Sequence, residues 1–485
     1  MDALGEERRP LLDPEATVNA IEQQTGSNRL NQPVTPLPVK QISIVLLMQL
    51  AEPIAFTVIY PFIAELVYST GITGGDESKI GYYAGLIESI FFLTEGLFVL
   101  QYGRISDRIG RRPVLLFGMS GLTVSIFTFG LSKTFWGLVI TRALSGALNG
   151  NVGVLKSMMA ELTDETNQAQ CFAFLPIIWS TGSTIGPFLG GTFSHPARLR
   201  PGLFDTPFWN EYPYFLPCLM TAIFTAFILV FSAFSLEETL HSHTQPKPNS
   251  SENQAEDGAA GSIDRATSRP APSIKSVLTK HACIVIVNYA FLAYVGIAYL
   301  CVVPVIFAAP IEGGGLNFTP QVIGVILGIQ GIVNGLVPVF YFASIHRRFG
   351  TKRTYIAGLA SYLFLIASLP AMNALARRGM MGAMWTLMGA HLVVSCPPLM
   401  SFSCTIIFVT SAASSKSSLG TLHGISQATI STIRAIGPAS ATSLFAFSVE
   451  RNVWGGWFVY AVLIGVNLLG IWASFWLEDE STARN

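Results

Sequence analysis

Glu52, Glu88, Glu95, Arg142 and Arg434 all lie inside long apolar runs of the chain. Charge at membrane depth is expensive, so such residues mark either function or a permanent pairing. Glu88 and Glu95 are seven residues apart, two turns along one helix face. That spacing puts Glu95 about 12 Å above Gly103 and Glu88 towards the outer rim. Glu52 falls near the middle of its run. Pro53 follows it and Pro61 lies further on, so this helix is expected to be distorted beside a cavity. Desolvation favours a neutral carboxyl, which lets a buried acid take up and release a proton near neutral pH. The three acids are therefore candidates for proton coupling, and Arg142 and Arg434 are the matching cations. The competing reading gives each acid a fixed cation or amide. Arg434, beside Gly437 and Pro438, either binds an anionic substrate or neutralises a glutamate.

A second constellation is "GRISDRIGRRP", residues 103–113, a charged stretch in a chain with only 12 % charged residues. A bias of basic residues towards the cytosolic side accounts for Arg104, Arg108, Arg111 and Arg112. It does not account for Asp107 or the glycines. Gly103 and Gly110 suit a close backbone approach and a sharp turn. Asp107 can pair with Arg108, Arg111 or Arg112, or with the partially positive N-terminus of a helix on another element. Such a contact would latch two helices in one conformation and release them in another.

The elements that must position these groups are membrane spans. The chain has 485 residues, 51 % hydrophobic, with a mean hydropathy of +0.50, and apolar runs of about 20 residues, enough to cross a hydrocarbon core, recur along it. The expected fold is an all-α membrane protein of twelve transmembrane helices in two six-helix bundles. The spans are 41–67, 80–101, 113–131, 136–156, 170–193 and 212–235, then 281–308, 320–343, 354–371, 383–410, 419–447 and 454–476. Residues 1–40 read as a disordered cytosolic tail without a cleavable signal peptide. Residues 41–235 and 281–476 form the bundles, 236–280 a flexible cytosolic linker and 477–485 a short cytosolic tail.

The halves echo each other. "ASIHRRFGTKR", residues 343–353, follows span eight as "GRISDRIGRRP" follows span two, which aligns Gly110 with Gly350 and Arg112 with Lys352. "STIGP" in span five recurs as "RAIGP" in span eleven. These matches argue for a duplicated six-helix unit. The second copy has Arg347 where the first has Asp107, so an acid-based latch is expected in one half only. The two basic loops should face the cytosol, as should both termini.

Amides at depth, Asn149, Asn288, Gln330 and Asn334, are candidates to line a substrate cavity, although amides also join helices. His391 in span ten is either a ligand or a satisfied core histidine. Gly182, Gly186 and Gly190 of span five, and Gly324, Gly328, Gly331 and Gly335 of span eight, form stripes that let helices approach closely. The net charge of zero suggests no nucleic-acid partner. Six cysteines inside apolar runs suggest neither disulfides nor a metal site. The pair His241 and His243 is too small a set to hold zinc. "ERRPLL" at 7–12 matches an acidic dileucine address for a vacuolar or endosomal membrane, and "NFT" at 317–319 is a glycosylation sequon.

"GRISDRIGRRP" closely resembles the loop motif between spans two and three of the major facilitator superfamily. "RALSGALNG" (Arg142 to Gly150) and "GSTIGPFLGG" (Gly182 to Gly191, with Pro187) look like motifs of its proton-coupled drug-antiporter branch, and "LEETL" after span six is similar too. "EPIAFTVIYPFI" and "ELTDETNQAQ" resemble fungal and zinc-induced-facilitator-like members. The resemblance implies a two-bundle fold with alternating access, in which Asp107 helps hold the outward-open state. It also implies Arg142 as a proton-relay partner, spans five and eight meeting across the bundle interface, Gly191 as part of the antiporter motif, and Pro187 as a kink that seals one side against proton leak.

The expected function is proton-coupled export of a small organic compound, a secondary metabolite or drug, by a monomer in the plasma membrane, with the vacuolar membrane as the alternative. The high aromatic content leans towards a moderately hydrophobic neutral or cationic cargo. An importer, a zinc-linked facilitator and a non-transporting sensor are the other readings. No nucleophile–base set or phosphate loop accompanies the spans, so neither an enzyme nor a cofactor is expected.

Overall fold

The computed structural model describes residues 35–164, 167–172, 174–240, 277–412 and 416–478. The dileucine stretch, His241 and His243, and most of the tails and linker lie outside the described residues. Among the described residues there is no strand. Span one is Val39–Thr57, followed after a break by the short helix Ile63–Ser69. Spans two and three are Ile80–Ile109 and Arg111–Gly130. Span four is Phe135–Leu148, continued as Asn151–Glu161. Spans five, six and seven are Phe174–Thr192, Phe215–Ser235 and Lys280–Ala308. Spans eight and nine run together as Pro320–Arg377, with non-helical backbone at Gly350. Span ten is Met381–Val394, continued as Pro397–Ser411, and spans eleven and twelve are Lys416–Glu450 and Phe458–Ser474. By length and composition, ten of these helices, covering spans one to ten, can cross a bilayer; span twelve is equally apolar but 17 residues long.

"GRISDRIGRRP", expected as a loop, is helix on both sides of one residue. Span two runs to Ile109 and span three starts at Arg111. Gly110 alone turns the chain, at φ 105° and ψ 157°, a region open essentially to glycine. Gly350 does the same in the second half at φ 80° and ψ 171°.

The duplication reaches side-chain detail. Arg112 Nη2 donates to the carbonyl of Ala233 near the end of span six, and Lys352 Nζ donates to that of Phe475 just after span twelve. Gln41 of span one donates to Ser235 O, and Asn288 of span seven to Ala473 O. Spans four and ten, equivalents in the repeat, both break in mid-course, at Asn149–Gly150 and Ser395–Cys396.

Large apolar side chains face outward all round, including Phe117, Ile140, Phe227 and Phe340, each at least 62 % exposed, as a lipid-facing surface requires. Exposed tryptophans gather at the two ends, Trp136, Trp385, Trp454 and Trp457 at one and Trp472 and Trp476 at the other, where amphipathic rings suit the membrane–water boundary.

The halves meet from the middle of the molecule to the end opposite the basic loops. At that far end Tyr82 Oη donates to Glu450 Oε2 (3.1 Å), and Gln321 Nε2 to Ser194 O (3.2 Å). There, Gly191 of span five lies so close to Gly324 of span eight that a Cβ on either would sit within 2.7 Å of the other's Cα. Near the middle, the Ala439 amide donates to Ser89 Oγ (2.9 Å), Ser180 Oγ to Gly331 O (3.0 Å), and Tyr60 Oη lies 3.6 Å from Cys301 Sγ. Among the described residues no hydrogen bond or ion pair joins the halves at the basic end.

Candidate functional site

The break in span one creates the first part of the site. In a continuous helix the carbonyls of Ala55 and Phe56 would accept from the amides of Ile59 and Tyr60. The chain turns at 58–62 instead, and Arg142 of span four takes both carbonyls, at 3.4 and 3.2 Å. The Arg142 guanidinium also lies over the rings of Phe91 (5.6 Å) and Phe129 (5.1 Å) and is 1 % exposed. Glu88 of span two is within its electrostatic reach. The sequence places Glu88 towards an exposed rim; in the structure it is 1 % exposed and neither carboxyl oxygen has a hydrogen-bond partner. The reason is tertiary: span two packs against span eleven along Gly81, Gly85 and Thr442, and span seven brings Cys301 and its contact with Tyr60 over the acid.

The second part lies deeper, towards the basic end. Glu52 of span one, Glu95 of span two, Lys156 of span four and Arg434 of span eleven are within electrostatic reach of one another. Gln49 Nε2 donates to Glu52 Oε2 at 2.9 Å. Arg434 lies over the ring of Trp179, 5.7 Å from its centroid. Glu95, Lys156 and Arg434 are half-buried. The sequence reading missed Lys156. Its signal was there, one lysine in "NVGVLKSMMA", but it falls at the end of the expected span four, where a lysine looks like an interfacial anchor.

The cavity candidates divide. Asn149 caps the break in span four, is buried, and lies beside the carboxyl of Glu52. Asn288 bonds Ile284 O and Ala473 O, joining helices of one bundle. His391 is held on both ring nitrogens, by Tyr299 Oη (2.6 Å) and Ser368 Oγ (2.7 Å), and Gln330 donates to the same tyrosine. Asn334 accepts from Ser395 at the break in span ten. Gly182, Gly186 and Gly190 of span five lie against Pro53, Thr57 and Val58 of span one, within the first half, whereas Gly191 meets span eight. Span five thus turns one glycine face inward, and Pro187 sits on the far-end turn that meets Gly324.

At the basic end Asp107 pairs with Arg111 one turn on, at 2.6 Å, with its own side chain 63 % exposed. Arg111 also holds Glu161 at 2.8 Å and Ser106 Oγ at 2.6 Å. The helix N-terminus that could have received Asp107 is occupied by Glu238, which accepts from the amides of Arg111 (2.8 Å) and Arg112 (3.0 Å) at the start of span three. Thr239 Oγ1 donates to Glu161 Oε2, closing the ring. Burial opposes the charge on Glu238, but the backbone donors of Leu240, Arg111, Arg112 and Thr239 outweigh it and hold its carboxyl below the usual range. Gly110 leaves room for this acid, since a Cβ there would meet Glu238 Oε2 at 2.5 Å. Around Gly103 a Cβ would meet nothing. Arg108 is exposed. In the second half the matching positions hold one hydrogen bond, between His346 and Thr351 (2.8 Å).

Comparison with known proteins bears on what such an arrangement does. The Major Facilitator Superfamily model matches residues 45–438. The major facilitator-type transporter psiT2 of Psilocybe cyanescens is 29 % identical, with 92 % of each chain covered. The efflux pump azaK of Aspergillus niger is 28 % identical over 91 % of this chain and 89 % of the pump. Among solved structures, the human organic anion transporter MFSD10 superposes with a TM-score of 0.59 at 19 % identity, covering 91 % of this chain and all of that one, a likeness of fold.

Proposed function

The chain belongs to the major facilitator superfamily, and from that premise we propose that this multi-pass membrane transporter exports a small organic compound in exchange for protons. The observation that carries the reading is the placing of its acids on two levels. Glu88 is sealed beneath the far end beside Arg142, while Glu52 and Glu95 lie deeper, where among the described residues no hydrogen bond joins the halves on the basic side. A proton arriving from outside meets Glu88 when the far end opens. It is released towards the basic side from Glu52 or Glu95 when that side is open. Arg142, bonded to the carbonyls of the break in span one, ties the state of Glu88 to the bend in the helix that carries Glu52. The basic loops mark the cytosolic face, so this conformation is inward-facing with both termini cytosolic, and the membrane we propose is the plasma membrane. Among the described residues Asp107 has no hydrogen bond or ion pair with the second half, its partner being Arg111, which suits a role in the opposite, outward-open state. Gly191 and Pro187 close the outer side, which keeps protons from leaking past the cargo.

Efflux tests the proposal directly. In yeast stripped of its own drug pumps, expression of the wild type should lower accumulation of a panel of toxic metabolites, and an uncoupler should abolish the difference. Glu52→Gln and Glu95→Gln should each remove most of the uncoupler-sensitive efflux at unchanged abundance. Asp107→Asn should slow it through the conformational cycle. Correctly localised wild type that lowers no accumulation, or lowers it equally with the gradient collapsed, overturns the proposal.

A further inference from the structure

The deeper charged group has a composition that a drug pump for simple cations would not need. It holds two acids and two bases, three from the first half and Arg434 from the second. None of the four is closed into an ion pair, and Glu95, Lys156 and Arg434 make no hydrogen bond with another described residue. Structural charge clusters inside a membrane close onto themselves, because each charge that is taken from water needs a partner. The Arg111, Asp107, Glu161 and Glu238 ring of this same chain does close, with contacts of 2.6 to 3.0 Å. The inner four stay apart, and the stacking of Arg434 on Trp179 holds the guanidinium in place while leaving its donors unspent.

We infer that these groups recognise an aromatic zwitterion, its amine received by Glu52 and Glu95 and its carboxylate by Arg434 and Lys156, with the ring against Trp179. Charge balance supports this choice. A ligand with only an ammonium gains the acids but is repelled by two cations, and one with only an anionic group meets two acids. A neutral ligand that displaces water here leaves Glu95, Lys156 and Arg434 without a partner. A net-neutral ligand with separated charges satisfies all of them without adding charge to the membrane. It also spans the halves, since its amine rests on the first bundle and its acid on Arg434 of the second. Tyr289 of span seven, also within reach of Arg434, can supply a second ring. His423 of span eleven is the further titratable group near Lys156. This inference rests on the exchange reading, in which ammonium and proton compete for the same carboxylates.

Two matched ligand series test it on the purified full-length protein. One is tryptophan, tryptamine and indole-3-acetate; the other is phenylalanine, phenethylamine and phenylacetate. Within each series the ring is constant and only the charges differ. Binding, read by equilibrium dialysis of radiolabelled ligand, should favour the zwitterion over both partners by at least about tenfold in one series or both, the worth of one charged hydrogen-bonded contact. Arg434→Gln should lose the preference over the amine, and Glu52→Gln with Glu95→Gln should lose the preference over the acid, each variant melting cooperatively as a check on folding. Binding of the amine or the acid as tight as that of the zwitterion in both series, or no binding in either series, overturns the inference. Transport separates it from the reading beneath it. A zwitterion preference whose efflux ignores an uncoupler removes proton exchange and leaves the pocket. Uncoupler-sensitive efflux of amines alone does the reverse.

Discussion

Glu238 shows how a single residue acquires a role from its neighbours. It is one of two adjacent glutamates after span six, and nothing in "LEETL" distinguishes them. In the fold, Glu237 offers its amide to Gln41, whereas Glu238 caps the start of span three with its carboxylate. A carboxyl held below its usual range contributes stability that is present above its unfolded value, near about 4.5, and lost as the pH falls through the folded one. Wild type should therefore melt higher than Glu238→Gln at pH 7, and the gap should close on acidification below that range. Thermal melts in detergent across pH 3.5 to 7 would check it; a gap that widens on acidification contradicts the assignment. Lys156 teaches the complementary lesson. It sits where an anchoring lysine would sit, and only its proximity to Glu52, Glu95 and Arg434 gives it another meaning.

Among the elements, the hairpin turns at Gly110 and Gly350 make a controlled comparison. Both glycines adopt backbone angles that side chains rarely tolerate, at a cost on the order of 1–3 kcal/mol. They differ in surroundings, because a Cβ at Gly110 collides with Glu238 whereas one at Gly350 meets nothing within 4 Å. Gly110→Ala should therefore lower the melting temperature more than Gly350→Ala, and Glu238→Ala should recover part of the excess. Additive losses in the double variant would show that the two residues do not interact. Spans four and ten carry matching breaks, and each break places a buried polar residue, Asn149 in one and Ser395 in the other, at the same level of its bundle. The repeat is thus one of helix irregularities as much as of sequence.

At the scale of the whole molecule, the arrangement is asymmetric between its two ends and between its two halves. Hydrogen bonds between the halves run from the middle to the far end, and the charged ring at the basic end belongs to the first half. If transport requires the far end to open, tying it shut should stop the cycle. In a variant carrying Tyr82→Cys and Glu450→Cys, a short thiol cross-linker should abolish efflux and a reductant should restore it if the linker is cleavable. Efflux that continues with the cross-link complete would mean that the far end need not separate.

The sequence by itself determined the twelve-span architecture, the duplication and the family, because each rests on a local property: run length, hydropathy, and short motifs whose spacing survives in one dimension. It also isolated Glu52, Glu95, Arg142 and Arg434, since charge in an apolar run is visible without a fold. It could not determine which of these charges are sealed and which are open. Burial of Glu88 comes from spans seven and eleven of the other half, and the neutral hydrogen bonds of His391 come from Tyr299 and Ser368, 92 and 23 residues away. Nor could it tell that the carboxylate at the start of span three is that of Glu238, which comes from beyond span six. Those outcomes depend on which helices touch, and helix contact is a property of three dimensions.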